Sequence, residues 1–132
     1  METTISTVST EAFAQRAADP AHNILDVRPM AAYNGWQLQG EPRGGHVPGA
    51  KSIPLSWTQF MDWVEVPEEK QLRPDAPITL YGNGADEAEE MADNFQRLGF
   101  EDVSVYDRFH DDWVADPDRP LRRLERYQQL VP

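Results

Sequence analysis

Residues 78–100, ITLYGNGADEAEEMADNFQRLGF, place a strand, a glycine loop and a helix in immediate succession. The apolar run 78–81 has the length and composition of a buried strand. The loop after it holds two glycines, which allow backbone angles closed to other residues. The following residues predict a helix with Asp86 as N-cap and Glu89 three positions later, the spacing of a capping box.

This predicted helix has one apolar face, because small and apolar residues recur at helical spacing from Ala88 to Leu98. Unpaired N–H groups at a helix N-terminus point into the preceding loop, so a strand, loop and helix together form an anion cradle. An active-site loop is therefore expected here. None of its residues is a strong nucleophile; they are Gly82, Asn83, Gly84, Ala85, Asp86 and Glu87.

The composition limits the classes of function. A chain of 132 residues suits a single domain, and a net charge of −11 argues against nucleic acid or an anionic membrane as partner. The absence of cysteine excludes disulfides, thiolate metal sites and thiol catalysis within this chain. With no membrane span and no signal peptide, we expect the cytoplasm, or the periplasm if the sequence is part of a longer one. No cofactor is expected.

Strands and helices alternate along the chain. Strands are predicted at 23–27, 51–55, 78–81 and 103–106. Helices are predicted after Ser9, at 30–33, from Ser56 through Trp57, Phe60, Met61 and Val64, at 86–98, and at 120–130. Residues 107–118 are predicted to be an acidic loop with Phe109 and Trp113 tucked into the core. Strands joined by connections of about ten or more residues pair in parallel with helices on both faces, so the fold class is α/β.

Two motifs, LDVR at 25–28 and GHVPGAKSIP at 45–54, resemble the rhodanese homology domain. LGF at 98–100, before VSV at 103–105, resembles the family's segment between active-site helix and last strand. The insertion at 33–44 is similar to rhodaneses found in tandem arrays. The resemblance implies one rhodanese-like domain over 1–132. It would be a three-layer sandwich with a mostly parallel five-stranded sheet, ending in a helix at 120–132 that leads into any further domain.

The resemblance also locates a missing nucleophile. In active members a cysteine follows the strand that corresponds to 78–81, and counting from both sides places Gly82 there. Where many members carry an arginine for the substrate's sulfate or sulfonate, this chain has Glu87. Rhodaneses transfer sulfane sulfur through a cysteine persulfide, which needs a stabilised thiolate. We therefore expect this chain to be inactive as a sulfurtransferase by itself.

Three hypotheses for the function follow. The first is a degenerate rhodanese-like domain that acts as a structural or regulatory module of a larger thiosulfate sulfurtransferase, with another rhodanese domain as partner. The second is a module that binds a small anion or a peptide through the loop N–H groups, near Arg108 or His110. The third is an enzyme of different chemistry that uses Asp26, His46 or Glu87, which the predicted placement of these residues on separate loops disfavours.

Residues of the two motifs have structural interpretations beside these functional ones. We expect Asp26 and Arg28 to join the strand end to the loop by hydrogen bonds, and His46, between Gly45 and Gly49, to orient its turn. His110 with two following aspartates suggests a metal site, but adjacent residues do not converge on one ion without help. No metal is therefore expected. A dinucleotide site is disfavoured because G-x-G-x-x-G would need glycine at Glu87.

Overall fold

The computed structural model describes residues 5–123. Five strands form one sheet in the order β1-β5-β4-β2-β3, and every neighbouring pair is parallel. The strands are β1 (Ser6–Thr7), β2 (Asn23–Asp26), β3 (Lys51–Ser52), β4 (Ile78–Tyr81) and β5 (Val103–Tyr106). The predicted α/β class with a parallel five-stranded sheet is confirmed.

Helices lie on both sides of this sheet. They are α1 (Thr10–Ala17), α2 (Met30–Asn34), α3 (Val66–Glu69) and α4 (Ala85–Arg97), with 3-10 helices at Leu55–Gln59 and Met61–Glu65 and a π-helix at Phe109–Val114. The predicted cap of α1 is confirmed, because the Oγ atom of Ser9 accepts a hydrogen bond from the N–H of Ala12 at 3.1 Å.

The central strand β4 is buried on both faces, as its apolar composition predicts. On one face, Ile78 and Leu80 belong to a core cluster that includes Met91 and Phe95 of α4. On the other face, Tyr81 packs in a second cluster with Phe13 of α1. The sheet and the helices on its two faces form three layers, with one core on each face of the sheet. The C-terminal end of β4 is held between these two cores.

Several predicted elements differ from the structure. The helix after β4 begins at Ala85 with Gly84 as N-cap, so Asp86 is not the cap. The predicted helix from Ser56 is two 3-10 segments, because Phe60 between them adopts an extended backbone. Phe60, Met61 and Val64 are exposed there, and Trp63 is the buried residue instead. The predicted acidic loop contains the π-helix, although Phe109 and Trp113 are buried as expected.

The two chain ends also differ from expectation. Strand β1 was not predicted, because it is only two polar residues long and lies at the sheet edge. In the described part of the predicted C-terminal helix, Arg122 forms an antiparallel bridge with His46 instead of a helical turn. The rest of that prediction, residues 124–132, lies outside the described residues.

Candidate functional site

The loop after β4 is closed by a carboxylate of the helix that follows it. Glu87, in the first turn of α4, folds back so that its Oε1 atom accepts a hydrogen bond from the N–H of Asn83 at 2.8 Å. A Cβ atom built on Gly82 would lie 2.6 Å from the same oxygen. The space above Gly82 is therefore taken by Glu87, and a loop N–H group is already bonded.

The environment of Glu87 disfavours its ionised form. Burial raises the pKa of Glu87 above the ordinary value of 4.5, and the nearby carboxylate of Asp26 raises it further. The hydrogen bond from Asn83 and the charge of Arg28 act in the opposite direction and are outweighed. The loop thus contains the acidic Glu87 at the place where binding of an anionic substrate would require a positively charged group.

Asp26 and Arg28 form a buried ion pair at the end of β2, where Asp26 lies in register with Tyr81 of β4. The Nη2 atom of Arg28 lies 2.7 Å from Oδ2 of Asp26 and donates to the carbonyl oxygen of Gly45 at 2.6 Å. The guanidinium also lies 4.7 Å from the ring centroid of Phe109. Because Arg28 is bonded to both Asp26 and Gly45, the ion pair connects the end of β2 to the loop before β3.

His46 lies on the other side of that loop. Its Nδ1 atom is 2.8 Å from the carbonyl oxygen of Tyr33, and its ring stacks on the Tyr33 ring with 3.7 Å between centroids. Burial lowers the pKa of His46, so the ring is neutral at pH 7. Gly45 and Gly49, which flank this segment, have φ angles of 122° and 87° that favour glycine. The structure places His46 in the turn and not at the loop of Gly82.

The two predicted ligand-binding candidates are separated. The Nε2 atom of His110 lies 3.2 Å from Oδ1 of Asn83, so this ring borders the loop. Arg108 is exposed and makes two hydrogen bonds of 2.9 Å with the carboxylate of Asp112. Of the two candidates, only His110 joins the residues around Gly82.

Sequence reasoning missed two members of this site, Glu41 and Tyr81. Glu41 lies in the polar insertion yet is buried, and its Oε2 atom is 3.7 Å from Nε2 of His110. Tyr81, at the end of β4, accepts a hydrogen bond on its hydroxyl oxygen from the N–H of Val47 at 3.0 Å. Nothing in the local sequence of Glu41 signals burial, whereas Tyr81 is the last residue of a predicted buried strand.

The chemistry available here is limited to weak acids and bases. Burial lowers the pKa of His110, so the site at pH 7 contains a neutral imidazole beside the acidic side chains of Glu41, which is buried, and Glu87, which is half-buried. Within residues 5–123 no group of three or more potential ligands is arranged to hold a metal ion. The helices of this part of the chain are all too short or too polar to span a membrane.

The comparisons with known proteins agree on the family. The family model described as Rhodanese-like domain matches residues 9–116. Thiosulfate sulfurtransferase YnjE of Escherichia coli (strain K12) is 31% identical over 113 residues, and thiosulfate/3-mercaptopyruvate sulfurtransferase 1, mitochondrial, of Arabidopsis thaliana is 29% identical over 117 residues. Each alignment covers 81% of this chain, but only 24% and 31% of those relatives.

Solved structures give the same result. The anaerobic ergothioneine biosynthesis enzyme from Chlorobium limicola, in complex with its natural substrate trimethyl histidine, is similar with a TM-score of 0.91 and 40% identity. Wild-type EanB has the same TM-score and identity. In both cases the likeness covers 98% of this chain and 30% of the other, so the chain spans about a third or less of the relatives it matches.

Proposed function

The chain belongs to the rhodanese-like domain family, which relates it to sulfurtransferases, and from this membership we propose that it is a catalytically degenerate rhodanese-like domain. Its role is structural or regulatory within a larger thiosulfate sulfurtransferase. The observation that carries the proposal is the contact between Gly82 and Glu87. Gly82 lacks the side chain that would carry sulfur, and Glu87 fills the space where that side chain would lie.

The electrostatics support this proposal independently of the missing cysteine. A persulfide step requires a thiolate that N–H donors stabilise and a positive field that attracts an anionic sulfur donor. Here the N–H of Asn83 is bonded to Glu87, and Asp86 adds a second acid in the first turn of α4. Acidic side chains at this position provide no positive field for an anion such as thiosulfate.

A module of this kind needs a second domain that carries the thiol. The curated relatives are three to four times longer than the matched part, and their names describe thiosulfate and 3-mercaptopyruvate sulfurtransferases. One solved complex of an EanB variant holds ergothioneine covalently linked with a persulfide cysteine. These relatives support another rhodanese domain, in the same or a longer chain, as partner. Thiosulfate is the donor substrate class that the proposal assigns to the whole protein.

Binding of a free anion in the loop is not the function that we propose. It would require Glu87 to leave Asn83, and Arg28, whose charge acts on Glu87, is already bonded to Asp26 and Gly45. Arg108, which would have supplied charge, pairs with Asp112 at the surface.

A sulfur-transfer assay tests the proposal. The purified chain is mixed with thiosulfate and cyanide, and thiocyanate is measured as its iron(III) complex, with an active rhodanese as positive control. We expect no thiocyanate above the enzyme-free blank. Turnover by this chain alone, removed by heat denaturation and retained after repurification, would contradict the proposal.

A further inference from the structure

An open groove of about 660 Å³ lies beside the loop, between α4 and the segment that follows β3. Its two walls differ in chemistry. The wall from the strand ends combines apolar and polar side chains, namely Val27, Pro29, Pro54, Leu55, Ser56, Thr58 and Gln59. The wall from α4 is acidic and includes Glu87, Glu90 and Asp93, with Arg97 at its far end.

The acidic wall retains negative charge that the domain does not neutralise. Positions 87, 90 and 93 are three apart, so they lie on one face of the helix. Asp93 pairs with Arg97 at 2.7 Å, while the carboxylate of Glu90 is exposed and has no ion pair or side-chain hydrogen bond within residues 5–123. A positively charged group in the groove would therefore find a free partner.

An exposed apolar ridge follows the other wall along the chain. Gln59 lines the groove, and the next residues include Phe60, Met61 and Val64, which are 62%, 98% and 52% exposed. Three large apolar side chains exposed within five positions are unusual on a small domain and mark interaction surfaces more often than single exposed residues do.

We propose that the groove and this ridge form a docking surface for a basic, amphipathic segment of a partner protein. Lysine or arginine side chains of that segment pair with Glu90 and with the carboxylates beside it, while its apolar side chains cover Phe60 and Met61. Charge complementarity selects this occupant. A second copy of the chain, with a net charge of −11, would be repelled by the same wall. Binding of such a segment does not depend on whether the chain transfers sulfur, so the two properties are tested separately.

The test uses a synthetic peptide in which lysine alternates with leucine and phenylalanine, titrated into the ¹⁵N-labelled full chain. We expect saturable amide shifts at residues 55–61 and 87–94. Glu90→Lys should weaken binding about tenfold, because it reverses a charge at the contact. Glu89→Lys is the matched control, since Glu89 is exposed on the same helix but outside the groove and the change in net charge is identical.

A second pair of variants tests the apolar half. Met61→Ser should weaken binding severalfold, whereas Leu38→Ser, at an exposed leucine elsewhere on the surface, should not. Circular dichroism verifies that all four variants are folded. Equal losses from Glu90→Lys and Glu89→Lys would show general charge attraction and overturn the proposal. Equal binding of a peptide with serine in place of the apolar residues, or no saturable shifts, would also overturn it.

Discussion

The Oε1 atom of Glu87 lies 2.6 Å from the position that a Cβ atom would take on Gly82. The Cβ and Cγ atoms of Glu87 are also within 3.2 Å of that position. Because the same oxygen is bonded to the N–H of Asn83, a side chain at position 82 must displace both a contact and a hydrogen bond. The residue type at position 82 and the position of the Glu87 side chain are therefore coupled. Glycine leaves room for the bond from Asn83 to Glu87, and a larger residue does not.

The first prediction concerns the energetic coupling between Gly82 and Glu87 in the stability of the fold. Gly82 does not have a positive φ, so alanine suits its backbone. In the native chain, Gly82→Ala should lower the free energy of unfolding by about 1 kcal/mol, because it expels the Glu87 carboxylate from Asn83. In the Glu87→Ala background the same change should be nearly neutral, because the carboxylate is gone and the remaining Cβ contact at 3.2 Å offsets the lower entropy of the unfolded chain. Urea unfolding of the four proteins measures this coupling, and additive effects would contradict it.

The second prediction concerns an introduced thiol. In Gly82→Cys, the neighbouring Glu87 carboxylate should hold the pKa of the thiol above the ordinary value near 8.5 and keep it a poor nucleophile. Adding Glu87→Gln removes the repelling charge, so the thiol pKa should fall by about one unit. The rate of alkylation by iodoacetamide as a function of pH measures that pKa directly.

The matched control for this thiol experiment is Gly82→Cys with Glu89→Gln, which removes one charge from an exposed position of the same helix. Its thiol pKa should match that of the single variant within about 0.2 units, because exposed charges away from the thiol are screened. If both double variants lower the pKa equally, net charge and not the Glu87 contact controls the thiol.

The third prediction follows from the raised pKa of Glu87. A folded-state pKa above the unfolded value of 4.5 means that the native state binds the proton more tightly. The stabilisation is therefore complete below about pH 4.5 and is lost as the pH rises through the raised pKa. The stability of the native chain relative to Glu87→Gln should decline across that window and then level off. Urea unfolding of both proteins measures the difference, from which the shared histidine titrations cancel. A relative stability that increases with pH would show that the sign is wrong.

Much of this fold could be predicted from sequence because its strands have a strong local signal. Ile78–Tyr81 and Val103–Tyr106 are short apolar runs that are buried on both faces, and α4 has a clear apolar side. The segment from Leu55 to Glu65 was mispredicted because its aromatic residues have the composition of a core helix. Composition does not reveal that Phe60 and Met61 face solvent.

The candidate site was only partly predictable, for a different reason. The absence of a nucleophile at Gly82 can be read along the chain, but the position of the Glu87 side chain depends on a rotamer that the sequence does not specify. Glu41 contacts His110 from a loop 69 positions earlier in the sequence, so no local pattern could join them. Contacts between loops at the sheet edge follow from tertiary packing and not from spacing.

The fourth prediction contrasts a buried ion pair with an exposed one. Arg28 and Asp26 have side chains that are 1% and 0% exposed. Asp26→Asn leaves the Arg28 charge buried without its counter-ion and should lower the free energy of unfolding by about 3 kcal/mol or more. Asp75→Asn makes the same replacement in the exposed pair of Arg73 and Asp75, and it should have no measurable effect. Thermal or urea unfolding compares them, and a similar small loss in both variants would contradict the role of burial.

The fifth prediction concerns the contact between His110 and Glu41 at the edge of the loop. Burial lowers the pKa of His110 below 6.5, while Glu41, 3.7 Å away, is the strongest influence that raises it. Glu41→Gln should therefore lower the pKa of His110 further, because the imidazolium loses its nearest anion. Asp111→Asn removes a weaker influence and should lower that pKa less. Titration of the His110 ring proton by NMR measures all three values. An unchanged or raised pKa in Glu41→Gln would mean that the two side chains are not in contact in solution.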